Sequence, residues 1–301
     1  MNFDQIQSFY LIAKLGTFAA AAQRLNTTQP AISARIAALE TGLGIRLFDR
    51  SGHRAVLTPA GRRFLQSAEK LLSIRSEILA QAGLAPLGGV MRIGASDTLA
   101  VSWLPGFLAD LRQAFPDTIF ELEIATSPRL RTELIERRID LAFMVGPVTD
   151  AEIGSTMLCE HPMVLAAPPT LALPREPLDA AALEGLNLVT FERMTRPHQE
   201  LIAALRRMGI APHVHSVNSL QAIILMICNG FGVGAVPRAV ITRELAEGRL
   251  RIVESALTLP SIPFAACHVL GPDAHVGSSI AARAHAYLAT LPASPDMQLL
   301  S

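Results

Sequence analysis

The stretch TTQPAISARIAALE, Thr27–Glu40, decides how the N-terminal part of this 301-residue chain is read. Thr27 and Thr28 offer an N-cap, and Pro30 falls in the first turn, where its missing N–H is harmless. Ile32, Ile36 and Leu39 recur at helical spacing and turn one face inward, leaving Gln29, Ser33 and Arg35 outward. Upstream, Thr17 caps the segment Phe18–Leu25 (FAAAAQRL), whose alanine run Ala19 to Ala22 lets another helix approach closely. Earlier still, Phe3, Ile6, Phe9, Tyr10 and Ala13 share a helical face, and Gly16 supplies a stop. Downstream, Arg46, Arg50, His53 and Arg54 surround Ser51-Gly52, the expected turn of a two-stranded wing. Three short helices and a basic ribbon predict a winged helix-turn-helix.

The chemistry of such a unit is the reading of duplex DNA. The first turn of a recognition helix enters the major groove, where Gln reads adenine bidentately and Ser or Thr serves bases or phosphates. The expected DNA-facing set is therefore Thr28, Gln29, Pro30, Ser33 and Arg35 on the helix, with Arg50, His53 and Arg54 on the wing supplying affinity through the backbone or minor groove. Charge agrees. Residues 1–63 hold eight basic groups against three acidic ones, and since the whole chain has 26 of each, the remainder holds 18 against 23. A net charge of zero thus conceals a head of +5 and a body of −5, which points the head at a polyanion.

FAAAAQRL, TTQPAISARIAALE, GIRLFDR (Gly44–Arg50) and LTPAG (Leu57–Gly61) together make the chain resemble the LysR-type transcriptional regulators. The family often places arginine directly after the serine at Ser33; here Ala34 stands there and arginine follows at Arg35. The resemblance covers the whole chain, by motif in the head and by pattern in the body. It implies two Rossmann-like lobes of the periplasmic-binding-protein type, and a small effector, often an organic anion, bound between them.

Thr58 and Pro59 open a further helix, and its apolar residues fall into two rows of sevens: Phe64, Leu71, Ile78 and Leu65, Leu72, Leu79. Such a seam seeks a second copy, so the chain is expected to be a homodimer or homotetramer that binds an imperfect palindrome. Residues 82–88 break the helix as a hinge. The expected division is 1–58 for the winged domain, 59–81 for the linker helix and 89–301 for the effector domain.

In the body, Val90–Ala95, Ile119–Ala125 and Ile139–Val145 read as strands alternating with helices Thr98–Ala114 and Pro128–Arg138. A second series runs Leu188–Phe191, helix His198–Met208, Val214–Val217, helix Leu220–Asn229, Val233–Val236 and helix Arg238–Ala246, and Phe264–Leu270 with helix His275–Leu291 closes the chain. This alternation predicts α/β architecture with parallel sheets. By resemblance, lobe I takes residues 89–161 and 264–291, and lobe II takes 162–263. Ligands in such sheets lie beyond the carboxyl ends of strands, at helix N-termini. Ser96, Thr98, Thr126, Ser127, Asn218 and Ser219 occupy those places, and Arg196 in the loop RMTRPH could meet a carboxylate; each hydroxyl could equally be a plain N-cap, and the arginine a solvated one.

Other classes are excluded or set aside. With 50% hydrophobic residues the chain can build a sizeable core, yet its apolar runs are too short for a membrane span, and Met1–Tyr10 lacks a secretory pattern. A cytoplasmic location is expected. Cys159, Cys228 and Cys267 suggest neither a disulfide framework nor zinc. His213 and His215 share a strand face but lack a spaced third ligand, so no metal or cofactor is expected. Gly230, Gly232 and Gly234 follow a helix rather than a strand, the wrong order for a dinucleotide loop. The competing reading is a bilobal enzyme or binding protein with an N-terminal oligomerisation module; against catalysis, no paired acid and base is apparent. An effector could act on DNA bending or on contact with RNA polymerase.

Replacing Gln29 by Ala is expected to weaken base discrimination by about 1–3 kcal/mol, the worth of a bidentate contact. Arg50→Ala is expected to weaken binding to all duplexes alike and to flatten its salt dependence. Competition binding with point-mutated operators at several salt concentrations reads both, and an unchanged base preference in Gln29→Ala refutes its base-reading role.

Overall fold

The computed structural model describes residues 1–25, 27–49, 55–81, 89–174, 176–271 and 274–300. The chain divides into two compact units, Met1–Pro86 with Leu270–Val276, and Leu87–Val269 with Gly277–Ser301.

In the N-terminal unit, α1 (Phe3–Leu15) opens on a capping box, Asn2 and Gln5 each accepting the other's backbone N–H at 2.9 Å, and ends at Gly16 with φ 76°. Thr17 caps α2 (Phe18–Arg24), accepting the Ala20 N–H at 3.1 Å, and Thr28 caps α3 (Gln29–Leu43), accepting the Ala31 N–H at 3.4 Å. The ribbon β1 (Phe48–Asp49) and β2 (Val56–Leu57) pairs antiparallel, Phe48 opposite Leu57, as the expected wing requires. The expectations for Arg50, His53 and Arg54, and for the hinge 82–88, lie outside the described residues. Phe9, Ile12, Ile32, Ile36, Leu39 and Leu47 fill the core, and the Phe9 ring meets those of Phe48 and Phe64 at 5.3 and 5.0 Å. Each such aromatic pair adds roughly 0.5–1.5 kcal/mol beyond burial.

Two polar devices fasten the wing: the carboxylate of Glu40, which the sequence reading passed over, and the hydroxyl of Thr58, which it read as the cap of the next helix. The buried carboxylate of Glu40, at the end of α3, accepts the N–H groups of Leu47 at 2.7 Å and Phe48 at 3.2 Å. The Thr58 hydroxyl donates to the Arg46 carbonyl at 2.8 Å and accepts the Gly61 N–H at 2.9 Å, capping α4 (Pro59–Gln81). A Cβ on Gly61 would stand 2.2 Å from the Leu47 carbonyl oxygen, so only glycine lets this helix start against the wing strand.

The seven-residue seam on α4 needs correction. Phe64 and Leu65 are partly buried against the unit's own core, and Ala68 and Leu72 lie within it. The reason is periodicity: 64, 65, 68 and 72 also make one face of an ordinary 3.6-residue helix, and α1 covers that face. Leu71 and Ile74 remain exposed. The side chains of Ile78 and Leu79 lie outside the described set.

The C-terminal unit runs β3 (Gly89–Ala95), α5 (Asp97–Ala100), α6 (Leu104–Ala114), β4 (Thr118–Ile124), α7 (Ser127–Ile135), β5 (Leu141–Val145) and β6 (Ile153–His161). It then crosses at Pro162 to β7 (Met163–Ala167), α8 (Ala180–Glu184), β8 (Asn187–Phe191), α9 (Arg196–Arg207), β9 (His213–Val217), α10 (Leu220–Cys228), β10 (Val233–Pro237), α11 (Thr242–Ala246) and β11 (Arg251–Val253). It returns as β12 (Ile262–Val269), α12 (Ala274–Thr290) and β13 (Gln298–Leu299). Six strands in the order β13-β6-β12-β5-β3-β4 form one lobe and five, β11-β7-β10-β8-β9, the other. The sheets are mixed rather than parallel as expected. β12 runs antiparallel to β5 and β6, and β7 antiparallel to β10 and β11. Both enter their sheets by crossing from the other lobe, without the β-α-β crossover that enforces parallel pairing.

Two helical expectations shift. Thr98–Ala114 is two helices, with Pro105 in the first turn of the second, and Arg238–Ala246 begins as a 3-10 turn, Arg238–Ile241. Strands β6, β7, β11 and β13 were not foreseen. In the five-stranded sheet successive residues serve opposite faces, Leu188 packing under α9 with Leu201 and Leu205, and Val189 under α10 with Ile223 and Ile227. All three cysteines are free; burial pushes the Cys159 thiol up to about 12 and Cys267 to about 11. No helix among the described residues is long and apolar enough to cross a membrane.

Gly61→Ala is expected to destabilise the N-terminal unit by about 1–3 kcal/mol through overpacking against Leu47. Urea unfolding followed by circular dichroism checks this, and an unchanged midpoint would show that α4 can shift to accommodate the methyl group.

Candidate functional site

Two surfaces carry chemistry, one in each unit. On α3, Thr28, Gln29, Pro30 and Ser33 are all exposed along the first turns. Their order follows from the cap: Thr28 uses its hydroxyl on the Ala31 N–H, which fixes where the helix starts and puts the exposed Gln29 in its first turn. Arg35 is placed differently from expectation. It is half-buried and its Nη1 donates to the Ser8 hydroxyl at 3.5 Å, because three residues on from Ile32 the helix has turned back toward α1.

The second surface is a cleft of about 370 Å³ between the lobes of the C-terminal unit. It is lined by Ser96 and Thr98 after β3, Thr126 and Ser127 after β4, Arg196 at the start of α9, and Asn218 after β9. Six of the seven residues expected to bind an effector therefore meet in one place. Ser219 does not; its hydroxyl caps α10, accepting the Ala222 N–H at 3.4 Å. Ser127 is partly committed, accepting the Val145 N–H at 3.0 Å. By contrast the Ser96 hydroxyl is buried and has no hydrogen-bond partner among the described residues, and Thr126 stands at the N-cap of α7 without making the side-chain cap bond. An unmade hydrogen bond costs roughly 1–3 kcal/mol, and the Ser96 hydroxyl lies beside the cleft with its hydrogen-bonding capacity unused.

Arg196 spans the cleft. Its Nη1 donates to the Gly146 carbonyl of the opposite lobe at 2.7 Å, and its Nε lies 3.4 Å from Glu200. The helix it opens is seated by His198, whose Nδ1 lies 3.1 Å from the Phe191 carbonyl, while burial lowers that imidazole's pKa.

Sequence reasoning missed several lining residues. Arg131 enters from α7 and is ion-paired with Asp150. Asp97 and Glu192 contribute carboxylates, and Met144, Phe191 and Phe264 supply apolar walls. Asp97 was legible in principle, flanked by Ser96 and Thr98; the apolar walls were not, since they come from strand ends distant in sequence. His213 is exposed and His215 packs edge-on against Phe231, centroids 4.8 Å apart. Among the described residues no group of three potential ligands could hold a metal.

Two family descriptions match the chain: bacterial regulatory helix-turn-helix protein of the lysR family over residues 3–62, and LysR substrate binding domain over residues 85–272. The HTH-type transcriptional regulator TfdS of Cupriavidus pinatubonensis is 32% identical over 268 residues, 84% of this chain and 90% of that protein. A full-length OxyR variant from Pseudomonas aeruginosa shares the fold with a TM-score of 0.62 at 22% identity, over 97% of this chain and 95% of that one. The regulatory domain of Synechocystis CcmR, in complex with 2-PG, superposes with a TM-score of 0.61 at 17% identity, over 68% of this chain and 100% of that one.

Burial raises the pKa of Asp97 above the usual carboxylate value. The folded state therefore holds this proton more tightly than the unfolded chain, a contribution present below the usual carboxylate range and lost as pH rises through the raised pKa. Asp97→Asn is expected to raise the melting temperature of the ligand-free protein at pH 7, with the gain shrinking as pH falls. A gain independent of pH in paired thermal scans would assign the effect to packing instead.

Proposed function

The chain belongs to the LysR family of bacterial regulatory helix-turn-helix proteins and is a DNA-binding transcriptional regulator with an effector-binding domain, and we propose that a small organic acid held between its two lobes sets its output. The relatives it matches are named transcriptional regulators, which sets the enzyme reading aside. One observation carries the effector reading: hydroxyls that the sequence places after separate strands meet in one cleft, and one of them, on Ser96, is buried with no partner. The N-termini of α7 and α9 reach that cleft from opposite lobes, and their unpaired N–H groups favour an anionic group.

Closure is the coupling. The Arg196 bond to the Gly146 carbonyl exists only with the lobes together, so an acid that binds the closed form better than the open one shifts the population by its difference in affinity. The protein acts as a homodimer or homotetramer, with exposed Leu71 and Ile74 on α4 offered to a second copy, and two recognition helices reading an imperfect palindrome. Output then changes through DNA bending or RNA polymerase contact, in the cytoplasm where the DNA lies, without a further cofactor.

Footprinting on the DNA upstream of its own gene, with and without a panel of small carboxylic acids, tests this. At least one acid is expected to alter the footprint, and Thr126→Val is expected to abolish that alteration. A footprint indifferent to every acid refutes the effector reading, and absence of any footprint at low salt refutes the operator reading.

A further inference from the structure

The charges in the cleft do not balance in the way an anion alone would require. Both guanidinium groups are already engaged by the protein, Arg131 by Asp150, and Arg196 by the Gly146 carbonyl and Glu200. The carboxylates of Asp97 and Glu192 also line the cleft, and neither forms an ion pair or a side-chain hydrogen bond among the described residues. Uncompensated charge facing the ligand is therefore negative. A simple carboxylate entering here would meet two like charges with no free cation to offset them. A partly buried carboxylate without a partner is costly, and a ligand that brings a cationic nitrogen relieves that cost. The buried, unpartnered Ser96 hydroxyl, adjacent to Asp97, independently marks this end of the cleft as unfinished without a ligand.

Building on the effector reading above, we infer that the cleft takes a zwitterion, an amino-bearing carboxylic acid. Its ammonium group is held by Asp97 with Glu192 beside it, and its carboxylate lies at the N-termini of α7 and α9. The Ser96 hydroxyl serves either end as donor or acceptor. Burial raises the proton affinity of Asp97, in keeping with a carboxylate that lacks a cation until the ligand supplies one.

Calorimetric titration of the full chain with matched pairs tests this: alanine and propanoate, glutamate and glutarate, phenylalanine and 3-phenylpropanoate. In at least one pair the amino-bearing member is expected to bind tenfold or more tightly than its des-amino partner. Asp97→Asn is expected to remove that preference, with Glu192→Gln reducing it less. Equal or tighter binding of the des-amino acids, no binding by any amino-bearing member, or a preference untouched by Asp97→Asn overturns the inference. The two readings fail separately. If des-amino acids bind and Thr126→Val abolishes their binding, the amine falls while the cleft stands; if binding of every probe is indifferent to Thr126→Val, the cleft falls as well.

Discussion

Two passages of the chain between the sheets, at Pro162 and between Val253 and Ile262, impose the constraint on which the effector unit depends. Because of them, the six-stranded lobe is built from two separate segments with the five-stranded lobe inserted between them, and the carboxyl ends of β3, β4 and β5 open onto the same space as those of β8 and β9. The helices that follow these strands must begin there. Hydroxyl residues ordinary as helix caps thus become a polar lining, and apolar residues at the strand ends, Met144 and Phe264 among them, become its walls. The two crossing strands, β7 and β12, are also the ones that run against their neighbours, so the mixed sheets and the cleft have one cause.

The N-terminal unit solves a different problem with different means. A two-stranded ribbon is marginal by itself in water, and here it is held by backbone contacts that no hydrophobic pattern reveals. Glu40 gathers two strand N–H groups at the end of α3, and Thr58 and Gly61 seat α4 against the Leu47 carbonyl. Glu40 thereby ties the end of α3 to the first strand of the ribbon. The seating of α4 also accounts for the motif LTPAG in physical terms: cap, first-turn proline, and a glycine where a methyl group has no room.

Most elements were legible because each rests on a local rule. Caps at Thr17, Thr28 and Thr58, the stop at Gly16 and the alternation of strands with helices are read within a few residues. Errors arose where a local pattern has two tertiary solutions. Phe64, Leu65 and Leu72 satisfy both a heptad seam and a globular helix face, and the neighbouring α1 decided for the second. Arg35 looked outward on a helical wheel yet reaches back to Ser8. Ser219 matched the position of a ligand group and proved to be a cap, since a serine before a helix serves either role with the same atoms.

The sequence by itself determined the family, the winged head, the split of charge and the places where helices begin, because capping chemistry, periodicity and composition act over short distances along the chain. Only the tertiary structure decided which hydroxyls converge, which arginines are already occupied and which carboxylates stand without a counter-charge. Compensation of charge is a property of three-dimensional neighbours: Arg131 and Asp150 are 19 residues apart, Arg196 and Gly146 are 50 apart, and no reading of spacing could tell that these pairs leave Asp97 and Glu192 without a counter-charge among the described residues.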